Sequence, residues 1–124
     1  MAVLPAPPAP THELGDARFT SLATPSRGSS ETSVWTVEIA AGSPGVPHRL
    51  TREEVFVVLS GVAEVGLGDQ RSRAHPGDAI VVPADTPFTL GSAGHEPLRA
   101  LCVLPVGGQA RHGDGEPFTP PWAR

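Results

Sequence analysis

The chain has 124 residues, 39% hydrophobic and 18% charged, with a formal net charge of −4; that fits one packed domain and leaves no room for two. Its basic residues are all arginines and lie scattered, which disfavours nucleic acid as the main partner, because a phosphate backbone needs clustered cations. No apolar run approaches the ~20 residues of a membrane span, and the 14 glycines and 15 prolines interrupt the chain too often for long helices.

In chain order, residues 1–16 read as an extended arm rich in Ala and Pro. The first ten residues lack a basic leader and are broken by prolines, so they do not read as a signal peptide. Arg18 to Leu22 is a short strand, and residues 24–31 form a polar loop. Ser33 to Ala40 alternates, with Trp35, Val37 and Ile39 on one face and Thr36 and Glu38 on the other, as in a half-buried strand. Gly42 to Pro47 is a turn segment. Glu54 to Leu59 and Val62 to Leu67 are strands separated by Ser60-Gly61. Thr51-x-x-Glu54 has the form of a helix capping box, but the β-branched and aromatic run Val55-Phe-Val-Val-Leu59 argues for a strand. Pro76-Gly77-Asp78 is a turn before Ala79 to Val82, Asp78 capping it through its own side chain. Phe88 to Leu90 and Leu98 to Val106 are the last strands, and residues 107–124 form a Pro-rich tail. Short strands broken by Gly, Pro or Asp predict an all-β barrel or sandwich. One cysteine, Cys102, lies in an apolar run as a core residue, and a lone cysteine fits a reducing cytoplasm. The abundance of Ala, Gly, Pro and Arg suggests a bacterial source.

Two segments carry more. The first runs from Gly42 through His48, Leu50 and Glu54 to Gly61, and the second from Gly77 through Pro83 and Phe88 to Ser92. Together they resemble the two signature motifs of the cupin family, a resemblance that covers about residues 17–106. It implies an antiparallel jelly-roll barrel (a double-stranded β-helix) over that span, between the arm and the tail. In metal-binding cupins the corresponding positions supply three histidines and a glutamate. Here Leu50 and Phe88 stand where two of those histidines would be. Of the family's ligand set only His48 and Glu54 remain, too few for a firm site. The expectation is therefore no cofactor, or at most a weakly bound divalent metal. His12, His75, His95 and His112 read as solvated loop histidines.

His48, Leu50 and Glu54 share parity, so a strand without a bulge points all three inward. With Trp35, Phe56, Val58, Phe88 and Leu90 they would line an apolar pocket with one polar pair, suited to a small molecule. If His48 and Glu54 are in hydrogen-bond reach, Glu54 sets the imidazole tautomer and His48 acts as acid or base. Three functions stay open: a metal-free small-molecule-binding cupin, an isomerase, cyclase or lyase using His48 and Glu54, and a non-catalytic structural or regulatory barrel. Arg49, Arg52 and Glu53 read as solvated strand-face charges. The resemblance also implies a homodimer, with the arm and the Pro-Pro-Trp122 tail as segments that cross to the neighbour.

Overall fold

The computed structural model describes residues 2–124. Eleven strands follow one another: β1 (His12–Leu14), β2 (Ala17–Ala23), β3 (Thr32–Ile39), β4 (Arg49–Leu50), β5 (Glu54–Ser60), β6 (Ala63–Leu67), β7 (Gln70–Ala74), β8 (Ala79–Val82), β9 (Phe88–Ser92), β10 (Leu98–Pro105) and β11 (Ala110–Arg111). Apart from two short 3-10 turns, Pro25–Arg27 and Pro121–Ala123, the described residues contain no helix. A six-stranded sheet runs β1-β2-β3-β10-β5-β8 and a three-stranded sheet runs β7-β6-β9, with β11-β4 as a small third ladder. Every pairing is antiparallel, as the jelly-roll reading requires.

The alternation in the sequence sets the faces. On β3, Ser33, Trp35, Val37 and Ile39 are buried while the residues between them are half-buried. On β5, Glu54, Phe56 and Val58 point inward, and on β10, Leu98, Ala100, Cys102 and Leu104 do the same. These inner faces join Val65 of β6 and Phe88 and Leu90 of β9 in one core. The buried apolar side chains supply the main folding drive, each worth roughly 1.5–3 kcal/mol.

Two glycine turns hold the strand ends. Gly61 has φ 78°, and a Cβ there would stand 2.5 Å from the Pro97 carbonyl oxygen, so glycine serves both conformation and space. Gly77 has φ 92°, and beside it Asp78 accepts the His75 amide at 2.8 Å, the side-chain cap expected from the motif. The Thr51 hydroxyl caps no helix. It accepts the Gln109 amide at 2.9 Å, because tertiary pairing with the C-terminal segment overrides the local helix-start pattern.

The two ends of the chain also take part in the fold. The His12–Leu14 stretch of the arm adds a strand to β2. In the tail, β11 pairs with β4. The Trp122 ring stacks on Phe19 at 3.6 Å between centroids, and the Ser21 and Ser33 hydroxyls donate to the carbonyls of Trp122 and Ala123 at 2.7 and 2.8 Å. The tail thus seals its own barrel, because Phe19 and two buried hydroxyls on β2 and β3 find their partners there.

Candidate functional site

β4 is only two residues long, and a bend at residues 51–53 separates it from β5. Before it, the irregular stretch from Ser43 runs beside β9. The Ser92 amide donates to the Ser43 carbonyl at 2.8 Å, and His48 and Phe88 exchange both backbone hydrogen bonds, at 3.1 and 2.9 Å. This ladder brings His48, Leu50 and Phe88 to one end of the barrel. Glu54 opens β5 immediately beyond.

Leu50 and Phe88 are buried and project into the interior. Phe88 is wedged between His48, 4.2 Å away between ring centroids, and Phe56, 6.0 Å away. Trp35, Val58 and Leu90 are buried as well. Leu50 and Phe88 thus stand, buried, where the family pattern has two histidines. Two surface clefts, of about 360 and 350 Å³, lie outside this set: one between β1 and the C-terminal segment, the other between β7 and β8.

His48 and Glu54 do not form the expected pair. The His48 Nδ1–H donates to the Val46 carbonyl at 2.8 Å, so that carbonyl, two residues back, sets the tautomer and leaves Nε2 with its lone pair. Burial lowers the His48 pKa from 6.5; the Val46 bond opposes the shift and nearby His112 adds to it. His48 is therefore a neutral imidazole near pH 7. Glu54 is only 3% exposed, and no hydrogen bond to its carboxyl is found among the described residues. Burial pushes the carboxyl up to about 8, and it is mostly protonated at pH 7. Cys102, on the neighbouring strand β10, is fully buried, and its thiol is pushed up by burial and by Glu54.

Sequence reasoning missed His112. Its ring lies 5.9 Å from His48 and 5.4 Å from Phe118, which it stacks on. No local signal marks it, because only the β4-β11 ladder brings residues 48 and 112 together. Of the other histidines, His12 bonds Thr11 at 2.9 Å, His75 sits 3.8 Å from Asp78, and His95 is exposed.

The profile of the cupin domain matches residues 35–104, more than half of the chain, and the chain belongs to the cupin family. Over 65 residues it is 31% identical to an uncharacterized protein of Methanocaldococcus jannaschii, a stretch that is 52% of each chain; the chain spans about half the length of this curated relative. Its fold is similar to that of the polyketide cyclase RemF from Streptomyces resistomycificus, with TM-score 0.72, 20% identity and coverage of 91% of this chain and 82% of that one. It is also similar to Bacillus subtilis oxalate decarboxylase, described with Mn(II) centres, with TM-score 0.70, 16% identity and coverage of 90% and 29%. At such identities the likeness concerns the fold alone.

A metal centre of the four-ligand cupin type does not fit the residues present. Leu50 offers no donor atom and Phe88 only a π-face. Among the described residues no group of three or more His, Cys, Asp or Glu is placed to hold an ion.

Proposed function

We propose that this cupin binds a small, mostly apolar molecule at the inner end of its barrel, with protonated Glu54 as the hydrogen-bond donor. The observation that carries this reading is the Glu54 carboxyl, buried and without a hydrogen-bond partner among the described residues. An unpaired buried polar group costs roughly 1–3 kcal/mol, and a ligand with a carbonyl or ether oxygen removes that cost. Leu50, Phe56 and Phe88 supply the apolar walls. A panel of small cyclic ketones and phenols tests the reading. Binding should raise the melting temperature of the wild type, and Glu54→Leu, which keeps the apolar volume and removes the donor, should lose the response. Equal responses from both proteins would sink the reading.

A second reading, acid–base catalysis of the isomerase, cyclase or lyase kind, draws on the opposed shifts of the two groups. His48 is held neutral and able to accept a proton, and Glu54 is held protonated and able to give one, the separation that acid–base pairs use.

For the homodimer, the contact surface this reading favours is the outer face of β10, β5 and β8. There Val55, Val57, Val81, Leu101 and Val103 point outward in facing register, with Leu59 beside them at the β5–β10 bulge. Leu59 is 43% and Val81 50% exposed. At the standard sheet spacings six such positions cover roughly 200 Å² of flat face, a fitting apolar centre for a contact of ~800 Å² per partner. These six residues carry no charge, and exposed Arg99 stands at their margin on β10; an apolar centre of this kind suits a second copy's matching face. β8 is also an edge strand with neither charge nor proline in it, and such edges need covering.

A further inference from the structure

The β4-β11 ladder sets two arginines face to face. Arg49 and Arg111 are direct cross-strand partners, on the side of the ladder opposite buried Leu50 and Ala110. Side chains so placed start about 4.5–5.5 Å apart at Cβ, and like charges there are destabilising. Both residues are half-buried, which strengthens the repulsion relative to open water. Neither is neutralised. The ion pairs among the described residues are Arg18–Glu13, Arg73–Glu64 and His75–Asp78; none includes Arg49 or Arg111, although Glu53, Asp114 and Glu116 are close in sequence. Arg111 spends its Nε–H on the Gly115 carbonyl at 2.9 Å, which fixes the guanidinium and leaves its outer N–H groups free. One step along, on the opposite face of the ladder, stand His48 and His112. A chain with net charge −4 thus sets two guanidiniums side by side on one face of this ladder.

We infer that the Arg49–Arg111 pair is a binding site for an oxyanion, a carboxylate or phosphate group clamped between the two guanidiniums. Two guanidiniums carried on paired positions of adjacent strands offer several N–H donors to one multi-oxygen anion, and arginine's planar fork suits carboxylate and phosphate. The anion turns a repulsive pair into a cross-link between β4 and β11, and so ties the C-terminal segment to the barrel. This site lies on the outer side of the ladder and does not depend on the reading of Glu54.

Thermal melts of the full chain at low ionic strength test it, with sodium phosphate and sodium acetate each compared with sodium chloride at equal ionic strength. Phosphate or acetate should raise the melting temperature beyond chloride. Phosphate acting alone assigns a phosphoryl group, and acetate acting as well assigns a carboxylate. Arg49→Gln and Arg111→Gln should each melt higher than wild type in anion-free buffer and lose the anion response, with affinity down at least about tenfold. Arg52→Gln, a control at the neighbouring bend, should keep it. Broadening of the phosphate ³¹P resonance gives the same comparison on folded protein. If neither anion acts beyond chloride, if Arg49→Gln and Arg111→Gln respond as wild type does, or if Arg52→Gln loses the response equally, the site does not exist.

Discussion

Replacing Glu54 by glutamine should abolish the pH dependence that this carboxyl imposes on stability. Burial raises it from 4.5 to about 8. Between those values the folded protein keeps a proton that the unfolded chain has released, so its contribution is whole below pH 4.5 and is lost as pH rises through 8. At ~1.36 kcal/mol per unit the loss comes to about 5 kcal/mol over the window, and to about 3.5 kcal/mol between pH 5 and pH 8. Glutamine has nearly the same shape and does not ionise. Relative to Glu54→Gln, the wild type should therefore weaken by that amount over the same pH range. His48 titrates in the opposite sense: its folded pKa is lowered, so it withdraws stability as pH falls through 6.5. It does so in both proteins and cancels in the difference. Urea melts followed by tryptophan fluorescence at several pH values measure the quantity. A difference between the two proteins that stays flat with pH would refute a buried, desolvated Glu54.

Further outcomes are expected elsewhere. Gly61→Ala forces a Cβ into the Pro97 carbonyl at a positive φ and should cost about 2 kcal/mol or more in urea melts. Trp122→Ala removes the ring stacked on Phe19 and should cost about 2–3 kcal/mol, with faster proteolysis of the C-terminal segment; an unchanged cleavage rate would mean the tail is not held there. Val81→Arg and Leu59→Arg should convert a dimer to monomer in sedimentation velocity, while Leu14→Arg, on the opposite edge strand, should not. A wild type that sediments as a monomer at high concentration removes the proposed contact face.

Much of the architecture was legible because the long strands carry their faces in their spelling. Trp35, Val37 and Ile39 declare an inner side, and so do Phe56 and Val58. β7 was not legible, since Gln70-Arg-Ser-Arg-Ala74 shows no alternation and holds its place through pairing with β6. β4 and β11 were invisible for a related reason: two residues carry no period, and each exists only because the other does. At the site, the sequence placed Leu50 and Phe88 inside, and both are buried. It could not foresee that the Val46 carbonyl would accept the His48 Nδ1–H bond, because that depends on how the loop after Gly45 bends. His112 and the Arg49–Arg111 pair were hidden by sequence separation, since nothing near residue 111 announces a neighbour at residue 49.

The hydroxyls of Ser21 and Ser33 reach across to carbonyls at residues 122 and 123, and this has a bearing on how the molecule is born. On the ribosome, β2 and β3 emerge long before the segment that covers them, and Phe19 must wait uncovered until Trp122 has been made. Closure by such distant contacts is slow, and the waiting intermediate shows an unshielded aromatic and open strand edges to its surroundings. Removing residues 122–124 should therefore harm the yield of soluble protein more than the small loss of mass suggests.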